Sequence, residues 1–368
     1  MSDTFTILAI NPGSTSTKIS VFQSEREVWS TTLTHSNEEL SKYEHIFDQY
    51  DFRKGVILNE LDKAGFKISV FDAIVGRGGV LYPVEGGTYS TGDRLIEDLH
   101  KGVQGEHISN LGAPIARELS IVANCPSFIV DPVVVDEMEP LARFSGHPAL
   151  PRRSILHALN QKAVARKTAV DLGRDYHDLN LIVVHLGGGI SVGAHKRGRV
   201  IDVNNALNGD GPFTPERSGG LPVGDLVELC FSGKRTHAEI KRMIKGAGGI
   251  VAYLGTNDMV LVENEIKKGN SRFELVYEAM AYQISKEIAG LSAVFEGNVD
   301  AIVLTGGIAY DKKFIDWITR RVKFIADVLV YPGEMEMEAL ALGALRVLRG
   351  EEQVKEYNPE RKVPDDRQ

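Results

Sequence analysis

The stretch "ILAINPGSTSTKISVF" (residues 7–22) constrains the fold most, because it places a turn of small polar residues between two apolar runs. The apolar runs predict strands over residues 6–10 and 18–23, and a third strand over 28–34. In the turn, Ser14, Thr15, Ser16 and Thr17 supply hydroxyl donors, and Lys18 supplies a positive charge. The turn is therefore either a merely polar hairpin loop or a loop that binds an anion.

A second copy of the same plan lies in the middle of the chain. "LNLIVVHLGGGISVGAHKRGRVIDV" (179–203) gives a strand, a glycine-rich turn, a strand, a short turn and another strand. A third small-residue turn, near 306–308, follows the apolar run in "VDAIVLTGGIAY". Helical spacing of apolar residues predicts helices over 152–173, 273–295 and 336–348, with the middle one presenting a core face. The three turns favour anion binding over a plain loop.

These elements predict a mixed α/β protein with two similar lobes and a ligand cleft between them. A chain of 368 residues is long for one core. We place the N-terminal lobe at 1–150 plus 340–368, with the first polar turn. The C-terminal lobe, at 151–339, carries the second glycine-rich turn and the turn near 306–308.

Charge and hydropathy exclude some classes of function. The formal net charge of −8, without a basic aromatic patch, argues against nucleic-acid binding. No apolar run approaches the roughly 20 residues that span a bilayer. The N-terminus lacks the basic region of a signal peptide, so we expect a cytoplasmic protein without membrane association.

Neither of the two commonest phosphate-binding loops is present. A Walker A loop needs G-x-x-x-x-G-K-[ST] before a helix, and the turn after Gly13 lacks the second glycine and leads into a strand. A dinucleotide fingerprint needs G-x-G-x-x-G, and Val192 stands where its last glycine belongs. A dehydrogenase is therefore not expected.

The motifs resemble those of a known superfamily. "INPGSTSTK", "VHLGGGIS", "LTGGI" and "ALALGALRVL" are similar to the phosphate-1, phosphate-2, adenosine and second connecting motifs of the acetate and sugar kinase, heat-shock cognate and actin superfamily. "NPGSTSTK" resembles the N-x-G-S-S-S-x-K opening of the acetate kinases. "VDPVVVDEM", "SILHALNQKAVAR" and "NNALNGDGPFTPERSG" resemble the butyrate kinases of the acetokinase family. The resemblance covers nearly the whole chain, from 7 to about 348.

This resemblance implies a fold and a reaction. The fold is two lobes of the actin-like ATPase (ribonuclease H-like) type with an ATP cleft between them. The reaction is reversible, direct in-line transfer of the γ-phosphoryl group of ATP to the carboxylate of a short-chain fatty acid, with Mg²⁺, giving butyryl phosphate from butyrate. A carboxylate, with a pKa of about 4 to 5, is already a nucleophile at neutral pH and needs no general base. A homodimer or larger homo-oligomer is implied as well.

The resemblance also assigns roles to individual residues. Arg77 aligns with an arginine that binds the substrate carboxylate, Arg217 with one that contacts the transferring phosphoryl group, and His185 with a histidine that hydrogen-bonds that group. Asp131 and Glu336 align with residues linked to magnesium, although Glu334 or Glu338 could serve instead of Glu336. The remaining assignments are His107 and His157 for the acid, and Asn11, Ser14, Thr15, Ser16, Lys18, Gly187, Gly188, Gly189, Gly306 and Gly307 for ATP.

Gly79 is the departure from the acetate kinase pattern that bears on the length of the substrate's acyl chain. Acetate kinases follow the arginine with R-V-V-H-G-G, whereas this chain has "RGGVLYP". Loss of the valine side chain at Gly79 would enlarge the acid pocket, and each buried methylene is worth about 0.8 kcal/mol. The alternative is that Gly78 and Gly79 only form a turn.

Three other functions stay open. Another short-chain acid kinase, acting on acetate or propionate, differs only in the substrate. A sugar kinase of the same superfamily would need a base for its hydroxyl acceptor, such as Asp131. An ATP-switched chaperone or filament subunit would need a peptide-binding domain or a polymer interface.

Overall fold

Strands and helices alternate along the chain in two compact units. The computed structural model describes residues 4–360. The first unit takes in the chain up to Asp136 and again from Met335, and the second runs from Glu137 to Glu334. The sequence prediction places its boundaries after residues 150 and 339.

The first unit is built on a six-stranded sheet in the order β3-β2-β1-β4-β6-β5. The first three strands are antiparallel neighbours, and β1, β4 and β6 run parallel. The elements are β1 Thr6–Pro12, β2 Ser16–Gln23, β3 Arg26–Thr34, α1 Asn37–Leu40, α2 Tyr50–Lys63, β4 Ala73–Arg77, β5 Thr88–Ser90, α3 Asp93–Lys101, α4 Gly112–Ala123 and β6 Ser127–Val130.

The second unit repeats this plan with a five-stranded sheet in the order β11-β10-β7-β8-β9. Strands β7, β8 and β9 are antiparallel neighbours, and β10 runs parallel to both β7 and β11. The elements are α5 Ala158–Asp171, β7 Asn180–Leu186, β8 Ile190–Lys196, β9 Arg199–Val203, α6 Val223–Phe231, α7 His237–Ile244, α8 Ile250–Leu254, α9 Met259–Lys267, α10 Ser271–Ser292, β10 Ala301–Gly306, α11 Lys312–Val322 and β11 Val328–Pro332. A last helix, α12 Glu336–Leu348, returns to the first unit.

Strand β7 shows why the second unit has a continuous apolar run. Ile182, Val184 and Leu186 pack into the core that contains α10 and α11, whereas Leu181 and Val183 pack on the opposite face beside α5. A strand covered on both faces has no polar alternation. The core-face prediction for α10 is confirmed, since its buried stripe includes Met280, Ile284, Ile288 and Leu291.

The helix predicted over 152–173 is shorter than expected. It begins at Ala158, because the preceding segment is held extended: Ile155 forms an isolated β-bridge with Asn205, and Arg152 pairs with Asp202 at 2.9 Å. The predicted helix at 336–348 agrees with α12 at both ends. In the segment before Ala158, contacts with a distant part of the chain thus override the helix that the apolar spacing predicts.

Candidate active site

A buried arginine shapes the first polar turn. Arg53 on α2 is fully buried, and its Nη1 donates to the carbonyls of Gly13 (3.0 Å) and Ser16 (2.9 Å), while its Nη2 donates to that of Ser14 (3.1 Å). Burial lowers the pKa of this guanidinium to about 10, so it stays charged at neutral pH. The turn carbonyls are therefore fixed toward Arg53.

Thr17 is turned inward, unlike its neighbours. It is fully buried, accepts from Arg53 Nη1 at 2.9 Å and lies 2.9 Å from Nε2 of His35. Burial, with a contribution from the charge of Arg53, lowers the pKa of His35. Of the four hydroxyls in the turn, those of Ser14, Thr15 and Ser16 remain at or near the surface, as does the exposed Lys18.

Sequence reasoning missed Arg53, although a signal exists. Arg53, Ile57 and Leu61 follow one another at four-residue spacing on α2, and all three are buried. A charged residue on an otherwise apolar helical stripe requires hydrogen-bonding partners inside the protein. Only the structure shows that these partners are the carbonyls of a turn about 40 residues earlier.

Asn11, Arg77 and Glu336 lie together at one edge of the first sheet. Asn11 and Arg77 occupy the carboxyl ends of the parallel strands β1 and β4, and Glu336 opens α12. Arg77 Nη1 forms an ion pair with Glu336 Oε1, and Asn11 Nδ2 donates to Glu336 Oε2 at 2.8 Å. Glu336 therefore lies with two of the predicted ligand-binding residues. Glu334 instead lies in the second unit.

Asp131 follows β6 at the same sheet edge. Its backbone has a φ of 37°, which is unusual for a residue other than glycine, and its side chain is 1% exposed. Asp131 Oδ1 accepts from Gly87 N at 2.7 Å, and Asp131 N donates to Gly87 O at 3.0 Å. This pairing holds the loop before β5, and it suits a structural carboxylate better than one exposed to a metal ion.

The predicted magnesium ligands fit the ion unequally. Within residues 4–360, no group of three or more His, Cys, Asp or Glu side chains is arranged to hold a metal. Nucleotide-bound Mg²⁺ commonly takes only one or two protein carboxylates, with phosphates and waters as its other ligands. Glu336, whose side chain is 18% exposed beside Asn11, suits such a ligand. Asp131 would have to leave its buried position.

Gly79 does not border open space. A Cβ at this position would lie 2.4 Å from Asn110 Oδ1 and 2.6 Å from Leu99 Cδ2. The same Asn110 oxygen accepts from Val80 N at 2.9 Å. The inference that Gly79 enlarges the acid pocket is therefore wrong: the missing side chain makes room for Asn110. At Gly78, a Cβ would lie 2.7 Å from Pro132 Cβ.

We expect Gly79→Ala to reduce the free energy of unfolding by about 1–3 kcal/mol, because it overpacks this contact. Urea unfolding measures the change. Gly55→Ala on α2, where a Cβ meets nothing within 4 Å, is the matched control and should stabilise by about 0.5–1 kcal/mol. An unchanged stability for Gly79→Ala, with a preference shifted to shorter acids, would restore the pocket interpretation.

His107, predicted to contact the acid, is exposed and caps a short 3₁₀ turn. Its Nδ1 lies 2.7 Å from Ser109 Oγ and accepts from Ser109 N at 3.3 Å. The same turn contains Asn110. These contacts show His107 as a cap of the turn. Contact between His107 and the substrate stays a prediction.

In the second unit, His185 and His157 are stacked. Their ring centroids lie 3.9 Å apart with an interplanar angle of 11°. His185 is the penultimate residue of the buried strand β7, its Nδ1 lies 2.9 Å from Asn160 Nδ2, and its Nε2 lies 3.6 Å from Glu334 Oε1. Since an amide nitrogen only donates, His185 Nδ1 is the acceptor, and Nε2 carries the hydrogen. Sequence reasoning identified both histidines but not Asn160.

Arg217 packs against the second glycine turn. A Cβ at Gly189 would lie 1.9 Å from Arg217 Nη1, so only glycine fits beneath this guanidinium. Nη1 donates to Ala206 O at 2.7 Å, while the buried Nε has no acceptor among residues 4–360. Burial lowers the pKa of Arg217. A hydroxyl bond from Thr214 to Gly188 O, at 2.7 Å, ties the arginine loop to the turn.

Gly306 and Gly307 differ in their surroundings. Gly306 has a φ of 96°, and a Cβ there would lie 2.3 Å from Leu186 O, so glycine is required by the backbone. Its N and O both bond to Gly333 at 3.0 Å. A Cβ at Gly307 would meet nothing within 4 Å, so this position has room for a neighbouring ligand.

The second unit carries a family match. Residues 148–326 match the model of the acetokinase family. This segment contains His157, His185, Gly187–Gly189, Arg217 and Gly306–Gly307. The carboxylate-binding candidates of the first unit lie outside it.

Solved structures show a shared fold. Acetate kinase from Porphyromonas gingivalis aligns with a TM-score of 0.75 and 19% identity, over 94% of this chain and 100% of that one. Acetate kinase from Entamoeba histolytica gives 0.70 and 16%, over 92% and 98%. A propionate kinase from Francisella tularensis gives 0.69 and 18%, over 92% and 98%. The predicted mixed α/β fold is confirmed, and these acetate and propionate kinases share it.

Within residues 4–360, no helix is both long enough and apolar enough to cross a bilayer.

Proposed function

We propose that this chain, whose residues 148–326 match the acetokinase family, transfers a phosphoryl group from ATP to the carboxylate of a short-chain fatty acid. The observation that carries the proposal is Arg217 packed on the Gly187–Gly189 turn inside the matched segment. Backbone N–H groups and a guanidinium placed together suit a phosphoryl group that accumulates negative charge.

Arg77 supports the choice of a carboxylate as acceptor. Its guanidinium pairs with the Glu336 carboxylate, a group of the same geometry as the carboxylate of the proposed substrate. No base is needed for an acid that is ionised at neutral pH. Bound Mg²⁺, for which Glu336 is the better placed of the two candidate ligands, would neutralise part of the phosphate charge.

Butyrate is the acid we propose, on the resemblance of "VDPVVVDEM", "SILHALNQKAVAR" and "NNALNGDGPFTPERSG" to butyrate kinases. Acetate or propionate fits the structural neighbours equally well. A sugar kinase is less well supported, because Asp131, the candidate base, is buried and bonded to Gly87 N.

A hydroxylamine-trapping assay tests this proposal. The purified protein receives Mg·ATP with acetate, propionate, butyrate, isobutyrate or valerate, and acyl phosphate is measured as hydroxamate. We expect most hydroxamate from the four-carbon acids. More from acetate or propionate would replace butyrate as the substrate, and none from any acid would contradict a carboxylate kinase.

Arg77→Ala should raise the KM for the acid about 10- to 100-fold, because a charge-assisted bond to a carboxylate is worth roughly 1.5–3 kcal/mol. Steady-state kinetics at saturating ATP measure the change. Arg349→Ala, which removes an ion-paired arginine from the surface of the same unit, is the matched control. An unchanged KM for the Arg77 variant would remove this residue from the acid site.

A homodimer or larger homo-oligomer in the cytoplasm completes the proposal. It is based on the family resemblance alone, and sedimentation equilibrium of the purified chain tests the assembly. A monomer at all concentrations would contradict that part.

A further inference from the structure

A chain of buried side-chain hydrogen bonds ends at His157. Tyr176 OH lies 2.7 Å from His195 Nδ1, and His195 Nε2 lies 2.9 Å from Gln161 Oε1. Gln161 Nε2 donates to Ser191 Oγ at 2.8 Å, and Ser191 Oγ lies 2.9 Å from His157 Nδ1. Tyr176 is 5% exposed, and His195, Gln161 and Ser191 are fully buried.

The secondary structure brings these groups into line. His157 is the N-cap residue of α5, and Gln161 lies four positions later in the first turn, where its N donates to His157 O at 2.9 Å. Ser191 and His195 share one face of β8, with Gly193 between them. A Cβ at Gly193 would lie 2.6 Å from Gln161 Oε1, so glycine leaves the space that the amide occupies.

The direction of the hydrogen bonds is set by a backbone carbonyl. Gln161 Nε2 also donates to Ser191 O at 2.9 Å, and since a carbonyl only accepts, the amide cannot be reversed. Gln161 Oε1 must then accept from His195 Nε2, and His195 Nδ1 must accept from Tyr176. Full burial, with the nearby charges of Lys162 and Arg166, lowers the pKa of His195 well below its usual value. The ring is therefore neutral, as this direction requires.

The last bond determines the state of His157. Ser191 Oγ accepts from Gln161 Nε2, and a longer contact of 3.4 Å joins it to His157 N. Its own hydrogen is then directed to His157 Nδ1, the acceptor within reach among the described residues. A ring that accepts at Nδ1 carries its hydrogen on Nε2.

We propose that Gln161, Ser191 and His195 are positioning residues that hold His157 as the Nε2–H tautomer, stacked on His185. His157 is then a fixed hydrogen-bond donor at Nε2, suited to an anionic oxygen. Its effect on turnover rests on the proposed phosphoryl transfer, whereas the tautomer itself does not.

Histidine-selective ¹⁵N NMR tests the assignment without an activity assay. The two-bond ¹H–¹⁵N coupling pattern distinguishes the tautomers, and His157→Gln identifies the His157 signals. We expect only Nε2–H for His157 in the unmodified protein. In Ser191→Ala, which removes one hydroxyl, both tautomers should appear, and kcat should fall about 10-fold with KM for ATP unchanged.

Tyr176→Phe is the matched control, since it also removes a buried hydroxyl from this chain. It leaves the bond from His195 to Gln161 intact, so His157 should stay Nε2–H even if stability falls. The Nδ1–H tautomer in the unmodified protein, or an unchanged His157 spectrum in Ser191→Ala, would overturn the inference. If the protein gave the expected spectra but transferred no phosphoryl group, the tautomer inference would be supported. Only the proposed function would then be contradicted.

Discussion

Arg217→Ala should lower kcat about 10²- to 10³-fold, the cost typical of removing one donor to a developing negative charge. The guanidinium lies on Gly189, and its buried Nε has no acceptor among the described residues, so part of its hydrogen-bonding capacity is unused in this structure. Because the glycine amides of the turn remain, ATP binding should weaken far less. Steady-state kinetics and calorimetric titration with a non-hydrolysable ATP analogue separate the two effects.

Two controls distinguish this role from a structural one. Arg217 Nη1 also bonds to Ala206 O, so the free energy of unfolding must be measured for the same variant. Arg235→Ala removes a surface arginine paired with Glu239 in the same unit and should leave kcat unchanged. An unchanged kcat for a folded Arg217→Ala protein would remove this residue from phosphoryl transfer.

Arg53→Met should destabilise the protein by about 3 kcal/mol or more. It removes the Arg53 donor from the carbonyls of Gly13, Ser14 and Ser16 and from the buried Thr17 hydroxyl, and each group left both buried and unsatisfied costs about 1–3 kcal/mol. The turn should also lose its shape. We therefore expect at least about 10-fold weaker binding of the ATP analogue, measured on the folded fraction.

The neighbouring Lys54 supplies the control for Arg53. Lys54 pairs with Asp51 and Glu118 at the surface, and Lys54→Met should cost less than about 1 kcal/mol without affecting nucleotide binding. Arg53→Lys keeps the charge but loses the planar fork, so it should be intermediate. If Arg53→Met bound the analogue normally, the turn would not be part of the ATP site.

Elements with a local pattern could be predicted from the sequence. The hairpin around residues 13–15 follows from two apolar runs and a turn, and α12 follows from its helical spacing. The repeat of this strand–turn–strand arrangement in the second unit could be predicted for the same reason. The start of α5 was wrong because the bridge between Ile155 and Asn205 depends on contacts that periodicity does not contain.

The site was predicted in part, and the limits are physical. Motifs identified Asn11, Arg77 and Glu336, which the structure brings together. The contacts of Arg53 and Asn160 depend on side-chain direction and on partners that are distant in the sequence. No short motif encodes either of these. Gly79 shows the opposite error, since a missing side chain was interpreted as empty space although Asn110 fills it.

The central claim is that the acceptor is a carboxylate, and ³¹P NMR with ¹⁸O-labelled butyrate tests it most directly. The protein is incubated with Mg·ATP and the acid labelled at both carboxylate oxygens. Direct transfer predicts an acyl phosphate resonance displaced by one bridging ¹⁸O atom, in step with ADP formation. ADP and unlabelled inorganic phosphate at a rate independent of the acid, without an acyl phosphate resonance, would contradict the claim.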